Sequence, residues 1–486
     1  MSKEYFLEVR DILNEVSPSF CLAKWQQVTL HLQNGRNHSC HHPSTHFIPP
    51  EEIDASPSAL HNTKFKRTVQ DEMIAGNRPP ECQYCWNVED MAGDQISDRY
   101  MKSADKNWAD IDNISEVLRK HELGEHINPH YVEVSFSNVC NFSCSYCSPV
   151  HSSQWTSEIR NHGAYKLHNR DHNGLEYYEQ TNNMPIHHKE HNPYVEAFWQ
   201  WWPELSKTLK VFRITGGEPL LDKNTFKVID KISKEPNPEL DLSINSNACV
   251  PNDKIDLYIE KMSELIDNNK IKRHVFFTSV DGHGKQAEYG RHGLDYVTWV
   301  YNIDKILTKL PSVKVTIMCT ANIFSVPSFE TLLRDVYNLK VKHRHPGRPM
   351  PLTIDISFLR WPAHQSCAIL PEKYADMLMP ALEFMESHSV GYGNNTQVWE
   401  GFYAPMEMFW AGEVEKLKRL IEYVKQPPNP AEGINMESAM IDFYLFVNEH
   451  DARRGTNFQD TFPELEEFYR DCERLHNNAI PVANIL

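Results

Sequence analysis

Three cysteines within eight residues, Cys140-Asn-Phe-Ser-Cys144-Ser-Tyr-Cys147, stand out as ligands for one small metal centre. Thiols this close can occupy three corners of an inorganic cluster. A [4Fe–4S] cube usually takes four thiolates, so three leave one iron open to another ligand. A structural zinc loop is the alternative, with His151 as the nearby fourth ligand. Zinc sites more often show paired C-x2-C or C…H elements, which this loop lacks.

A second group is spread over the first 85 residues: Cys21, Cys40, and the pair Cys82-x2-Cys85. The pair alone reads equally as a redox dithiol, a zinc half-site or a cluster half-site. The other four of the eleven cysteines, Cys249, Cys319, Cys367 and Cys472, are scattered and read as small buried hydrophobes.

Seventy residues beyond the cysteine loop comes Phe212-Arg-Ile-Thr215-Gly216-Gly217-Glu218-Pro219. A strand running into two glycines gives a backbone that a ligand can approach closely, and Glu218 can accept hydrogen bonds from a cationic amine. Further strand ends carry small polar residues: Asn245, Ser246 and Asn247, then Ser279, Asp281 and Gly282. Turn capping explains such residues as readily as ligand binding does. The last candidate strand ends in Arg360-Trp361-Pro362, where Arg360 could meet a carboxylate and Trp361 could stack on a ring or pack at the mouth.

These motifs need elements to hold them. Residues 3–16 read as a helix with Phe6, Val9, Ile12 and Leu13 on one face. Val28-Thr-Leu-His-Leu32, then Asn34-Gly35, predicts a hairpin, because both turn positions need positive φ. Residues 41–62 read as loop and about 63–75 as helix. From 131 onward strands alternate with helices, which implies βαβ units and a parallel sheet. The strands fall near 131–137, 210–215, 240–246, 274–280, 313–319 and 352–358. The interval before the second strand is long. Its part 160–192, rich in His and Asn (His162, His168, His172, His187, His188, His191), reads as an extended loop or lid with no clean metal spacing. Asn192-Pro193 then supplies an N-cap with proline at the first helical position, and Phe198, Trp201, Trp202 and Leu205 form an apolar face. Beyond 362 the chain reads as mainly helical, with a linker at Gln426-Pro-Pro-Asn-Pro430. Asp451 to Asn457 is a compact polar segment that reads as a salt-bridged turn or a contact at the sheet's mouth.

The cysteine loop, with aromatic Tyr146 before its last cysteine, resembles the signature of the radical S-adenosylmethionine (radical SAM) enzymes. Gly216-Gly217-Glu218-Pro219 is similar to the motif that contacts the SAM ammonium in that family. The resemblance implies a [4Fe–4S] cluster on Cys140, Cys144 and Cys147, with SAM chelating the open iron through its amino and carboxylate groups. It implies SAM contacts from Tyr146, Gly216, Gly217, Glu218 and Pro219. Ser279 and Asp281, then Asn245 and Ser246, would serve the SAM carboxylate and ribose, and Arg360 would meet SAM or substrate. Cys21, Gly35, Cys40, Cys82 and Cys85 resemble the first part of the SPASM/Twitch auxiliary-cluster motif. That domain usually follows the barrel, whereas here it precedes it. His41 and His42 beside Cys40 leave a mixed ligand set open, and zinc on the same four cysteines is open too.

The implied fold is α/β: a partial (β/α)6 barrel over 131–362 with an insert at 150–209, a Twitch-like domain over 1–95, a helical connection over 96–130 and a helical extension over 363–486. The implied activity is reductive cleavage of SAM to a 5′-deoxyadenosyl radical that takes hydrogen from a peptide or small-molecule substrate. An auxiliary iron–sulfur cluster would assist, and flavodoxin or ferredoxin would supply electrons. A non-catalytic scaffold or electron carrier, or a sulfur- or methyl-transferring radical SAM enzyme, are the other readings.

Composition limits the rest. A net charge of −17 argues against a general nucleic-acid binder. The basic stretch Lys342 to Arg348 is short and reads as a solvated loop. No apolar run is long enough to span a bilayer, and the start lacks a signal peptide's apolar core, so a cytoplasmic protein with reduced thiols is expected.

Overall fold

The computed structural model describes residues 2–168, 174–345, 350–390, 408–426 and 433–479. His172, Pro346 to Arg348 and the linker residues 427–430 lie outside them. The strands are β1 (Gln27–His31), β2 (Arg36–His38), β3 (His46–Phe47), β4 (Tyr131–Ser135), β5 (Ser143–Cys144), β6 (Val211–Thr215), β7 (Asn237–Ser246), β8 (Ile271–Ser279), β9 (Arg291–His292), β10 (Lys314–Ala321), β11 (Leu352–Phe358), β12 (Ser389–Val390) and β13 (Phe409–Trp410). The chain falls into two units: Met1–Val139, Pro185–Ile244 and Glu264–His274 in the first, and Cys140–Met184, Asn245–Ser263 and Val275–Leu486 in the second. The fold is mixed α/β with mostly parallel strand pairing.

In the first unit β1, β4, β6 and β7 pair in parallel in that order. The expected hairpin is present, but of its two turn positions only Gly35 (φ +65°) has positive φ and Asn34 does not; β1 turns there into antiparallel β2, which pairs with β3. A Cβ at Gly35 would also overlap the Tyr194 ring. The sheet has two unlike faces, because side chains alternate along each strand. Val28, Val132, Phe212 and Leu242 fall in register, as do Leu30, Val134, Ile214 and Ile244. Helix Pro193–Leu205 covers this apolar side, with Phe198 and Trp202 against Phe212. Asn192 caps that helix by accepting from the Tyr194 and Val195 amides, as its sequence predicts. The opposite face is polar. Thr29, Glu133 and Arg213 share a row with His38 and Ser243, and the next row holds Arg36, His31, Ser135 and Thr215.

Residues 41–62 are not simply loop. They contain β3, helix Pro50–Ala55 and a 3₁₀ turn at Pro57–Leu60. Pro50 opens the helix and Glu51 and Glu52 occupy its first turn, both ordinary start signals. Helices Lys3–Val16 and Lys64–Ile74 match expectation, although Ile12 is exposed rather than on the buried face.

In the second unit β8, β10 and β11 pair in parallel. Within the stretch 160–192, expected as an extended loop or lid, helix Ser153–His162 (capped by Ser152) comes to its end and helix Leu175–Gln180 forms. Lys342 and His343 end helix Phe329–His343 and both reach Asp304, so the basic stretch begins as helix. Asp451 to Arg454 close helix Met436–Arg454, and Arg453 and Arg454 pair with Glu158. Cys319, Cys367 and Cys472 are buried, whereas Cys249 is half-buried and faces the Asp295 carbonyl. Among the described residues no helix is long and apolar enough to cross a membrane.

A buried ion pair ties helix Ala411–Lys425 to this unit. Glu413 accepts from Lys340 Nζ with both oxygens at 2.8 Å, and from the Ile354 and Trp410 amides at 2.8 and 3.0 Å. Glu413→Ala strands the lysine and two amides, and is expected to cost about 3–5 kcal/mol. Urea unfolding measures this, and a loss under about 1 kcal/mol would contradict the account.

Several buried imidazoles are held neutral, His274 and His364 among them. Burial pushes His274 down to about 4 and His364 down to about 3. Their unfolded counterparts bind protons below about 6.5, so the unfolded state gains protons first as the solution acidifies. Stability therefore falls with pH from about 6.5 toward 4 for His274 and toward 3 for His364, by roughly 1.4 kcal/mol per pH unit for each ring. Urea midpoints between neutral and mildly acidic pH should show this slope, and His274→Gln should make it shallower by that ring's share.

Candidate functional site

The cysteine loop belongs to the second unit. Cys140, Cys144 and Cys147 are all half-buried. The Cys140 amide donates to Ser153 Oγ at 3.3 Å, and the Cys147 amide donates to the Cys144 carbonyl at 2.9 Å. Trp155 Nε1 donates to that same carbonyl at 2.8 Å. Cys144 lies in β5, whose partner across the antiparallel pair is Arg291 in β9. Asn141 Nδ2 donates to the Cys249 carbonyl and its oxygen accepts from Asn247 Nδ2, both at 2.8 Å, so the turn after β7 braces the loop. Ser145 Oγ donates to Gln365 Oε1 at 2.7 Å. The loop backbone and side chains between Cys140 and Cys147 are thus held at several points. Burial pushes the Cys147 thiol up to about 12 and raises Cys144, against the pull of the nearby Arg291 charge.

Among the strand-end residues, Asp281 is fully engaged. Its carboxylate is buried and accepts from Arg291 Nε and Nη2 at 2.8 and 3.0 Å. It also accepts from the Tyr146 hydroxyl at 2.7 Å and the Thr320 amide at 2.8 Å. Those four bonds occupy both oxygens, which the resemblance to radical SAM enzymes would assign to SAM. Ser279 is half-buried at the end of β8, beside Met318 of β10. Ser246 Oγ accepts from the Ala248 amide at 3.0 Å, a turn-capping bond, and Asn245 precedes it half-buried. Arg360 is exposed, with its guanidinium 5.7 Å from the Phe358 ring centre.

A cavity of about 460 Å³ opens beside the loop within this unit. Tyr146, Cys147, Trp155, Tyr178, Trp361 and Phe446 line it, along with His151. The size and aromatic lining suit an organic ligand of moderate size.

The glycine motif belongs to the first unit. Gly216 sits at φ +119°, open to glycine alone without strain. Gly217 has no room for a side chain: a Cβ there would lie 2.3 Å from the Val139 carbonyl oxygen and 2.7 Å from the Asn138 carbonyl carbon. The Gly217 amide donates to the Ser137 carbonyl at 3.2 Å, and the Glu218 amide donates to the Val139 carbonyl at 2.7 Å. Val139 is the residue bonded to Cys140. Glu218 is buried, and one of its carboxylate oxygens accepts from the Leu220 amide at 3.0 Å, capping the turn that Pro219 starts. The Ser135 hydroxyl and both amide atoms of Gln33 are buried without a protein partner, on or beside the polar sheet face.

The four N-terminal cysteines come together in the first unit. Cys21, Cys40, Cys82 and Cys85 line one small pocket with Lys24, His42 and Arg99. Lys24 forms an ion pair with Glu81, and Arg99 pairs with Glu89 at 2.9 Å. His42 Nε2 is held by Asp98 at 2.7 Å and its ring stacks on Tyr84. Burial pushes the Cys85 thiol up to about 12 and raises Cys21 and Cys82, and the neighbouring thiols add to each rise. Thiols this crowded and desolvated do not ionise together unless a cation enters among them. A bound metal meets that condition by deprotonating its ligands outright, so the donor set fits a tetrathiolate centre, iron–sulfur or zinc. Among the described residues no three His, Cys, Asp or Glu groups already sit in coordinating geometry.

Arg291, Gln365 and Ser135 were not singled out by the sequence. Arg291 and Gln365 carry no motif, because what places them is pairing across the second unit.

No protein-family model and no curated protein matches the chain. Among solved structures, one described as native anSMEcpe with bound AdoMet is similar at 16% identity and a TM-score of 0.30. The match covers 52% of this chain and 58% of that one, so the likeness spans less than two thirds of its length. A similarity of that size bears on neither fold nor activity.

Proposed function

We propose that the chain is a radical SAM enzyme built on a partial (β/α)6 barrel. The observation that carries this reading is the tight seat of Gly217 against Val139, the residue joined to Cys140. The glycine motif suited to a cationic amine is thus seated on backbone that ends, along the chain, one peptide bond before the first of the three thiols.

In this reading Cys140, Cys144 and Cys147 hold a [4Fe–4S] cluster. When bound, that group supplies the electron for cleaving SAM to methionine and a 5′-deoxyadenosyl radical, which takes hydrogen from substrate. The protein's own part is binding and exclusion of water. The glycine-motif carbonyls and Glu218 accept from the SAM ammonium, and Ser279, Asn245 and Ser246 are candidates for its carboxylate and ribose. The four hydrogen bonds on Asp281 favour a positioning role for it. The aromatic cavity is the substrate chamber, shielded by helices Ser153–His162 and Leu175–Gln180.

Residues 1–95 act as a Twitch-like module whose four cysteines hold an auxiliary iron–sulfur cluster, and a one-electron donor such as flavodoxin or ferredoxin serves the enzyme. Zinc on those four cysteines is the second reading, favoured by the closed set of four thiols around one small pocket.

The test is anaerobic reconstitution with iron and sulfide, then SAM and dithionite. Formation of 5′-deoxyadenosine and methionine is expected. A reconstituted, iron-loaded protein that leaves SAM intact would sink the reading in favour of a scaffold or electron carrier.

A further inference from the structure

We infer that Arg291, fixed by Asp281 and Tyr146, is a positioning residue that presents a permanent cationic hydrogen-bond donor to Cys144 and raises the reduction potential of the centre held there. The inference rests on the proposed function.

Arg291 lies opposite Cys144 in the β5–β9 pair, so the backbone register brings the two side chains together. Its guanidinium is divided between two tasks. Nε and Nη2 grip the Asp281 carboxylate in a two-pronged pair, and Nη1 faces Cys144 Sγ at 3.7 Å. The Tyr146 ring lies 5.5 Å from the guanidinium carbon, while its hydroxyl donates to the same Asp281 oxygen that accepts from Arg291 Nε. The Thr320 amide completes the carboxylate's partners. Every group in this chain of contacts belongs to the second unit.

Arg291 and Asp281 are 8% and 5% exposed. Burying such a pair is costly, and apolar side chains of similar volume often serve stability as well or better. A purely structural brace would therefore not need a charge. What the guanidinium adds is a donor that never loses its proton, held in a fixed plane and aimed at sulfur. Adding an electron to an iron–sulfur centre raises its negative charge, and hydrogen bonds to its sulfurs favour that reduced state. Asp281 offsets part of the cation's charge, but its bonds hold the remaining N–H toward Cys144. Lysine cannot replace this arrangement, since one ammonium cannot grip the carboxylate in two prongs while also facing the sulfur.

The experiment uses the full chain labelled with ¹⁵N-arginine, reconstituted and reduced anaerobically. Pulsed EPR is read on the signal that changes when SAM is added, which separates this centre from the N-terminal one. The wild type should show a ¹⁵N coupling, absent in Arg291→Lys. In Arg291→Gln the midpoint should move to more negative potential by roughly a tenfold loss in electron affinity, about 59 mV for one electron. Arg291→Lys keeps the charge and should shift less. A SAM-responsive signal without ¹⁵N coupling overturns the inference, as does Arg291→Gln with wild-type iron content and midpoint. If Arg291→Gln holds no iron, the wild-type coupling alone decides. No SAM-responsive signal from the wild type would sink the proposed function and this inference with it.

Discussion

Replacing Cys140, Cys144 and Cys147 together by alanine is expected to abolish 5′-deoxyadenosine formation and leave part of the iron and acid-labile sulfide in place. The loop and the N-terminal set are separate donor groups, with Cys21, Cys40, Cys82 and Cys85 gathered around their own pocket. None of the supports of that pocket, Lys24 with Glu81 or Arg99 with Glu89, involves the loop. Loss of the three thiols should therefore empty one centre and spare the other. Anaerobic iron, sulfide and zinc analysis on the triple variant and wild type reads this directly. Residual iron with sulfide supports two clusters. Zinc without sulfide would make the N-terminal set a structural site, and an auxiliary electron-transfer role would fall.

Gly217→Ala should be the most damaging single methyl group in the chain's glycine motif. Its Cβ would meet three backbone atoms of Asn138 and Val139 closer than 3.0 Å, and backbone cannot swing aside as a long side chain can. Overpacking of this kind costs about 1–3 kcal/mol. The larger effect should fall on the ligand, because pushing Val139 away disturbs the residue leading into Cys140. SAM affinity is expected to drop by roughly tenfold or more, the equivalent of about 1.4 kcal/mol. Equilibrium dialysis against SAM, alongside a thermal melt, separates the two effects. A variant with wild-type affinity and melting temperature would reduce the motif to an ordinary turn.

Much of the framework was legible in the sequence because it is local. Asn34-Gly35 announces the hairpin, Asn192-Pro193 the start of a helix, and the alternation after Tyr131 the parallel pairing. The strand ranges differ from expectation by a few residues, chiefly early starts for β7 and β8. Helix Pro50–Ala55 carries the start signals Pro50, Glu51 and Glu52, but its six residues give too little periodicity to read as a helix. The insert's histidines suggested an open loop, yet its buried Tyr165, Leu167 and Tyr178 give it an apolar anchor. Asp281 is the instructive case. A carboxylate at a strand end looks like a ligand group, and nothing nearby announces that the side chain of Arg291, ten residues on and paired across β5–β9 with Cys144, will reach back to it. Long-range pairing also explains why Ser135 and Gln33 carried no signal.

The division of the first sheet into a polar and an apolar face has a consequence for assembly. A one-residue slip of β6 against β4 would turn Arg213 and Thr215 toward Phe198 and Trp202, and turn Phe212 and Ile214 into the row of Glu133. Both faces would be wrong at once, so misregistered pairings are penalised twice. The outer strand β3 is only two residues long, which leaves little free edge on that side for another chain to add to. A sheet whose faces differ this sharply resists both slippage and edge-to-edge aggregation while the long connections between its strands are still finding their places.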